Sequence, residues 1–384
     1  MGWIRHEEGT KQQSIILGLL AAALFMALVF LQYEAAAVLS FAVAVFGLQW
    51  AYIKQVGKNL AYHNVFMRQR VLNGGESKWE LEFENGGLPI WGGTLKIWFQ
   101  DAVQPLGSHT KRFGELIEVD LPFTIGFREK IIVNVPVKGH RRGLSRLKKM
   151  ELNIPLLFGD GEVLLEYRDR LLQEQLVYPK LQNFPFRNKP SSQKAGNFNL
   201  NHTLFDDPFQ PVGTRDYLPT DQFHHIHWKA SARLQSYQTK IFTQVANESV
   251  LFAMNVASHY ATIPNLEERI EEMASYIESC YREGIPYALA INVRSAGQVP
   301  YLCLPSGEGQ KQRQKALELL SVLSKDHSTM HFNAMASHLE RHNDLPSTTY
   351  VLTDEQAEIR SIMAKWGKRT QLAVLQSFQR SDSA

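Results

Sequence analysis

The stretch SIILGLLAAALFMALVFL, residues Ser14–Leu31, decides the first part of the fold. No charged residue lies between Lys11 and Glu34, and none lies between Glu34 and Lys54. A helix needs about 20 mainly apolar residues to cross the roughly 30 Å hydrocarbon core of a bilayer, and each stretch approaches that length. The sequence therefore predicts a transmembrane hairpin over residues 1–55, with its turn at Glu34 because a carboxylate is costly in lipid.

The basic residues at the two ends of this hairpin predict its orientation. Several Lys and Arg residues lie near those ends and none lies in the turn: Arg5, Lys11, Lys54, Lys58, Arg68 and Arg70. Trp50 and Tyr52, of the types enriched at membrane interfaces, mark the end of the second span. Because Lys and Arg accumulate on the cytoplasmic side, we expect a multi-pass protein of the cell membrane with its soluble domains in the cytoplasm. A cleaved signal peptide, cut at Ala35–Ala37, is the alternative; its apolar region would be too long, and a second span follows at once.

Residues 56–183 have the periodicity of strands. Two runs place an apolar residue at every second position, namely Trp79, Leu81 and Phe83 in one and Leu95, Ile97 and Phe99 in the other. Glycine pairs separate these runs, and further short β-rich runs follow at Ile131–Val137 and Leu176–Tyr178. Several short strands with Gly, Pro and Asp turns predict an all-β, sandwich-like domain.

The pattern changes after residues 184–201, which are rich in Asn, Ser, Gln, Lys and Pro and are predicted to be a linker. The apolar strand Val250–Val256 is followed by a helix with one apolar face, for which Gly284 supplies a C-terminal stop, and then by the strand Tyr287–Val293. Alternation of strand and helix predicts a mainly parallel sheet with helices on both faces. Residues 202–384 are therefore predicted to hold an α/β domain.

The segment Val212–Lys240, VGTRDYLPTDQFHHIHWKASARLQSYQTK, concentrates aromatic and charged side chains just before that domain. Eight of its residues are candidates for an interaction or interdomain role: Arg215, Tyr217, Asp221, His227, Trp228, Lys229, Arg233 and Lys240. One possible role is an internal belt of ion pairs and packing that fixes the α/β domain against the β-region. The other is a docking surface for a protein partner, since Trp and Arg are enriched at binding hot spots.

This segment resembles the hallmark of family 58 of the bacterial domains of unknown function, approximately G-x-R-x-Y-x-x-G-D…I-[D/H]-W-K-A-[S/T]-A-R…K. Thr220 replaces the usual Gly, and thirteen positions match: Gly213, Arg215, Tyr217, Asp221, Ile226, His227, Trp228, Lys229, Ala230, Ser231, Ala232, Arg233 and Lys240. The resemblance implies that the C-terminal domain is von Willebrand factor A-like. It also implies two partners, a MoxR-type AAA+ ATPase and a membrane protein with a transglutaminase-like domain.

We therefore expect a non-catalytic, membrane-tethered scaffold or adaptor rather than an enzyme. A hydrolase or metal-dependent enzyme with a site between the soluble domains is the alternative that the sequence leaves open. A net charge of +3 without a concentrated basic face argues against nucleic acid as a partner. Neither a cofactor nor a catalytic residue is predicted, because the usual phosphate-loop, metalloprotease and nucleophile-elbow motifs do not occur.

Metal binding is not predicted either. A-like domains often carry a D-x-S-x-S metal motif after the first strand, where a carboxylate and two hydroxyls suit Mg²⁺. The matching positions here are Asn255, Ala257 and His259, which lack all three groups. The cluster of His224, His225 and His227 suits hydrogen bonding as well as ligation, since His227 takes a position where the pattern has Asp or His. Both cysteines, Cys280 and Cys303, are predicted to be small core residues.

Overall fold

A computed structural model of the chain describes residues 2–8, 10–107, 110–156, 161–182, 206–219, 221–244, 249–258, 261–297, 299–342, 345–346, 348–367 and 370–375. The chain divides into two compact units, Met1–Leu181 with Leu317–Leu323, and Gln182–Ala316 with Ser324–Ala384. The predicted linker, residues 184–201, lies outside the described residues, so its bounds stay predictions.

Two apolar helices open the first unit, α1 (Thr10–Val29) and α2 (Tyr33–Gln55). Both are long and apolar enough to cross a membrane, with mean hydropathies of 2.0 over Gln12–Val29 and 1.8 over α2. Only 11% and 17% of these residues are buried. The prediction of two N-terminal apolar helices is confirmed. Glu34, however, does not lie in the connection between the helices, as the sequence predicts. It lies in the first turn of α2, where its carboxylate stabilises the positive end of the helix dipole.

The rest of this unit is built from strands. They are β1 (Trp3–Glu8), β2 (Leu60–Tyr62), β3 (Met67–Val71), β4 (Glu76–Asn85), β5 (Ile90–Gln100), β6 (Val103–Pro105), β7 (Thr110–Phe113), β8 (Leu116–Ile125), β9 (Glu129–Gly139), β10 (Gly143–Pro155), β11 (Glu162–Tyr167) and β12 (Gln173–Val177). One sheet has the order β1-β11-β10-β5-β8-β7, and β12 pairs with both β10 and β3. The other sheet has the order β2-β4-β9-β6.

The two sheets share one hydrophobic core, as the alternating pattern predicts. Trp79 and Phe83 of β4 and Phe99 of β5 are at most 1% exposed. The ring centroids of Trp79 and Phe99 lie 5.7 Å apart, and those of Phe83 and Phe123 lie 5.0 Å apart. Because these contacts join strands of different sheets, the predicted β-rich, sandwich-like region is confirmed. Ile53, near the end of α2, is buried in the same core.

Strand β1 ties the N-terminus to this β-region, although the sequence pattern does not predict it. It pairs antiparallel with β11, from Trp3 opposite Tyr167 to Glu8 opposite Glu162. The side chain of Arg5 donates to the backbone carbonyls of Ile53 and Lys54 at the end of α2. The chain therefore enters α1 and leaves α2 at the same end of the β-region. Where this helical hairpin crosses a membrane, the start of α1 and the end of α2 therefore lie on the same side of that membrane.

The second unit carries the α/β region. Its strands are β13 (Asp206–Asp216), β14 (Gln238–Gln244), β15 (Val250–Met254), β16 (Ala257–Ser258), β17 (Ala261–Thr262), β18 (Tyr287–Arg294), β19 (Tyr301–Gly307), β20 (Thr348–Leu352) and β21 (Gln371–Leu375). The helices of this part of the chain are α3 (Trp228–Leu234), α4 (Leu266–Glu283), α5 (Gly309–Val322), α6 (Phe332–Arg341) and α7 (Gln356–Trp366).

A five-stranded sheet of order β19-β18-β15-β20-β21 is parallel apart from the edge strand β19. Leu251 of β15 packs with Phe332 of α6 and Trp366 of α7. Phe252, the next residue of the strand, stacks on Tyr276 of α4 with centroids 6.1 Å apart. Consecutive side chains of a strand point to opposite faces, so helices cover both faces and the predicted α/β region is confirmed.

Three finer predictions for this region concern the end of α4 and the burial of the two cysteines. Helix α4 ends at Gly284, whose φ of +68° gives the left-handed stop that glycine permits. Cys280 is buried on α4, as predicted. The prediction for Cys303 is wrong, because this residue is exposed on the edge strand β19.

Candidate functional site

The signature segment forms a small antiparallel hairpin. Strands β13 and β14 pair from Gly213 opposite Ile241 to Asp216 opposite Gln238. Between them lie a single 3-10 turn, Phe223–His225, and helix α3. We call residues 213–219 and 221–241 the signature hairpin.

An ion pair fixes the entry to this hairpin. Arg215 donates two hydrogen bonds to the carboxylate of Asp221, with lengths of 2.7 and 2.6 Å. The same carboxylate accepts the backbone N–H of Leu218 at 2.9 Å and the hydroxyl of Thr239 at 3.1 Å. The hydrogen bonds from Arg215, and then the one from Leu218, lower the pKa of Asp221 to about 2. These hydrogen bonds link the loop that follows β13 to the strand β14.

His227 acts as the N-cap of α3. Its Nδ1 accepts the backbone N–H of Ala230 at 3.0 Å. Its backbone N–H donates to the carbonyl of Gln238 at 2.7 Å, which ties α3 to β14. Asp is a preferred N-cap residue for the same reason, because its oxygen accepts such a bond.

The third feature of the hairpin is an exposed aromatic cluster, formed by Phe223, Trp228 and Tyr237. Their side chains are 67%, 57% and 61% exposed. The ring centroids of Phe223 and Trp228 lie 5.6 Å apart, and those of Trp228 and Tyr237 lie 6.4 Å apart, all edge to face. Lys229 and Arg233 are exposed one helical turn apart on α3, beside this cluster.

The eight predicted residues thus fall into distinct structural settings. Arg215 and Asp221 form the ion pair at the entry to the hairpin, which we call its frame. His227 caps α3. Tyr217 is half-buried, with its ring 6.2 Å from that of Tyr237. Trp228, Lys229 and Arg233 are exposed, whereas Lys240 is half-buried on β14 opposite Thr214. The belt role and the docking role of these residues both stay predictions.

The carboxyl edge of the five-stranded sheet is the second place where polar side chains meet. Asn255, directly after β15, is 3% exposed, and Asn292 of β18 is fully buried. The Oδ1 of Asn255 accepts the N–H of Ala257 at 3.0 Å and the amide of Asn292 at 2.8 Å. Asn292 also accepts the N–H of Val256 at 2.8 Å and donates to the carbonyl of Met330 at 2.9 Å.

The resemblance to a von Willebrand factor A-like domain implies a Mg²⁺ motif directly after β15, and the residues of this network do not fit that ion. The amide of Asn255 donates to the hydroxyl of Thr353 at 3.3 Å. A Mg²⁺ site would require a carboxylate in place of this amide. The carboxylate that follows β20, Asp354, pairs with the guanidinium of Arg269, which is 1% exposed. His259 lies outside the described residues. Among the residues that the structure describes, no group of three or more His, Cys, Asp or Glu is placed to hold a metal ion.

Sequence reasoning does not find Asn292, Arg269 or Asp354. One signal is available for Asn292, since it is a lone polar residue within the apolar run of β18. A buried polar side chain needs hydrogen-bond partners, so such a residue marks a network. The partners of Asn292 come from other strands and loops, and the sequence does not identify them.

No protein-family model matches this chain, and no curated protein sequence matches it either. Among solved structures it is similar to a CARDB domain from Pyrococcus furiosus, at 10% identity over 31% of this chain and 91% of that one, with a TM-score of 0.18. A non-cellulosomal cohesin from Archaeoglobus fulgidus shares 11% identity over 29% of this chain and 85% of its own, with a TM-score of 0.19. Likenesses this low indicate neither a family nor a function.

Proposed function

We propose that this chain is a non-catalytic scaffold or adaptor, anchored in the cell membrane by α1 and α2, that binds a protein partner through the signature hairpin. The observation that carries the proposal is the exposed aromatic cluster beside Lys229 and Arg233. Exposed apolar patches mark interaction sites, and Trp and Arg dominate binding hot spots. The frame of Arg215 and Asp221 holds the loop before binding, which lowers the entropy lost on association.

Membrane anchoring is supported by the helices and by β1. Because β1 pairs with β11, the two ends of the helical hairpin lie on one side of a membrane that it crosses. The basic residues at those ends favour the cytoplasm. A reporter that is active only outside the cytoplasm is expected to be silent after Ala384 and active when inserted at Leu31, in the connection between α1 and α2. An active fusion after Ala384 would contradict the orientation.

The partner that we propose is a MoxR-type AAA+ ATPase, acting together with a membrane protein that has a transglutaminase-like domain. The resemblance of the signature segment to family 58 supports this choice. The sheet of four parallel strands with one antiparallel edge strand supports a von Willebrand factor A-like domain. Because Asn255 and its neighbours fill the usual cation position, we propose that binding is independent of Mg²⁺.

The experiment is purification of the tagged full chain from native membranes in mild detergent, with detection of the ATPase in the eluate. We expect the wild-type chain to retain the ATPase and Trp228→Ala to lose most of it. Phe113→Ala is a matched control, since Phe113 is 58% exposed but belongs to the other unit. Absence of the ATPase from the wild-type eluate would refute this partner. Equal retention by all three proteins would refute the hairpin as its docking surface.

A further inference from the structure

One end of the β-region carries two loops that are tied to each other. Residues 86–89 connect β4 to β5, and residues 126–128 connect β8 to β9. The fully buried amide of Asn85 donates to the carbonyl of Leu88 in the first loop and to that of Gly126 in the second, both at 2.9 Å. The two loops therefore form one local surface.

This surface lies against the exit of α2. The hydroxyl of Tyr52 donates to the carbonyl of Pro89 at 2.9 Å, and its ring stacks on Trp91 with centroids 6.0 Å apart and planes at 8°. The N–H of Gly86 donates to the carbonyl of Asn59, just after the helix, at 2.9 Å. Trp91 thus lies at the level of Tyr52, a residue at the predicted membrane interface.

The outward side of the loops is apolar, aromatic and cationic. Leu88, Trp91 and Phe127 are 37%, 54% and 59% exposed. The guanidinium of Arg128 lies 5.1 Å from the centroid of the Phe127 ring. Arg128 has a φ of +54°, in the left-handed region that non-glycine residues seldom occupy, and this conformation lets the turn present both side chains. Aromatic rings together with basic residues are the composition of proteins at the bilayer interface.

We propose that this interfacial surface, formed by Leu88, Trp91, Phe127 and Arg128, inserts into the headgroup layer of the bilayer that α1 and α2 cross. The inference rests on the proposed membrane anchor. One observation favours lipid as the occupant: the last turn of the apolar helix α2 contacts this surface directly, through Tyr52. Once α2 spans a bilayer, the lipid surface is held beside Trp91 at high effective concentration. The contact would fix how the β-region stands on the membrane.

The test measures the depth of spin labels on the full chain in lipid nanodiscs. Cys303→Ser removes the exposed native thiol, while the buried Cys280 is left in place. A single label is then placed by Phe127→Cys or Leu88→Cys. Phe113→Cys is the matched control for Phe127, because their exposures are 58% and 59%. These two positions lie beyond opposite ends of β8, roughly 30 Å apart at about 3.3 Å per residue. Phe25→Cys, an exposed position within the apolar span of α1, reports the span itself.

Accessibility to dissolved oxygen and to a water-soluble nickel chelate gives the depth of each label. At positions 127 and 88 we expect more relaxation by oxygen than by nickel, to a degree between those at positions 25 and 113. A label at 127 that is as accessible to nickel as the one at 113 would overturn the inference. Protection of 127 from both reagents would indicate a protein cover and would overturn it too. If the label at 25 is also accessible to nickel, the anchor itself is refuted.

Discussion

The signature hairpin and the carboxyl edge of the five-stranded sheet differ in the exposure of their polar and aromatic side chains. The hairpin leaves Trp228 57% exposed among other aromatic rings, with Lys229 and Arg233 beside it. The sheet edge buries Asn255 and Asn292 and satisfies their hydrogen bonds within the chain. Ligands of open α/β sheets usually bind at such an edge, where the strand order reverses. Here the side chains of Asn255 and Asn292 at that position bond to each other and to the backbone, whereas Trp228 of the hairpin is exposed.

The largest effect is expected at the sheet edge, from Asn292→Ala. This change leaves the N–H of Val256 and the carbonyl of Met330 without their partner inside the protein. Each buried group left unpaired costs about 1–3 kcal/mol, so the free energy of unfolding should fall by roughly 3 kcal/mol. Denaturant unfolding of the full chain in detergent measures it.

Gln222→Ala, at an exposed position of the signature hairpin, is the control for that experiment and should be neutral. A loss for Asn292→Ala no greater than for this control would show that the network contributes little to stability. That result would contradict the claim that the polar network at the sheet edge has a structural role.

Lys229→Ala and Arg233→Ala test the other half of the comparison. Both side chains are exposed, so the melting temperature should stay unchanged. Binding to the ATPase should weaken by about 1–2 kcal/mol for each, as for charged residues of a hot spot. Melting curves and binding isotherms of the same preparations separate the two roles. A lower melting temperature with unchanged binding would assign these cations to internal packing.

The frame of the hairpin predicts a specific pH dependence. The pKa of Asp221 falls from its usual 3.8 to about 2, mainly through hydrogen bonds from Arg215. Because the folded pKa is the lower one, the pair's stabilisation is present above pH 3.8 and is lost as the pH falls through about 2. An NMR titration of the Asp221 carboxyl carbon measures this. Arg215→Gln should move the titration back towards 3.8, and an unchanged midpoint would show that Arg215 does not hold the carboxylate.

The smallest expected effect is that of Mg²⁺ on stability. Since Asn255 supplies an amide where the motif needs a carboxylate, millimolar Mg²⁺ should leave the melting temperature unchanged. A ligand at 100 times its Kd would add about 2.7 kcal/mol to the free energy of unfolding, which is readily measured. A clear shift with Mg²⁺ but not with an equal concentration of Na⁺ would restore the sheet edge as a ligand site.

Local patterns account for the parts of the fold that the sequence predicts. Trp79, Leu81 and Phe83 are buried as their alternation requires, and α4 ends at Gly284 as its left-handed conformation requires. In both places neighbouring residues carry the information. Strand β1 is different, because its charged sequence WIRHEE pairs with β11, some 160 residues later in the chain. A pairing so distant in sequence leaves no periodic signal in a short strand.

For the candidate site, the sequence predicts which residues belong to it but not their burial or their contacts. The spacing of Arg215 and Asp221, and the Trp228–Arg233 run, identify the segment. Whether Trp228 is buried or exposed depends on the β13–β14 hairpin around it, which the sequence alone does not define. At the sheet edge, Asn255 and Asn292 are brought together by two neighbouring parallel strands, and their contact follows only from the strand order.

The most direct test of the account compares two tryptophans of similar exposure, Trp228 at 57% and Trp91 at 54%. Trp228→Ala and Trp91→Ala are each prepared in the full chain and titrated with a purified MoxR-type ATPase from the same organism. The account predicts that Trp228→Ala loses at least about 2 kcal/mol of binding free energy, as at a hot spot, while Trp91→Ala binds like the wild type. Circular dichroism and melting should show both variants folded. Unimpaired binding by a folded Trp228→Ala protein would contradict the claim that the signature hairpin is the docking surface.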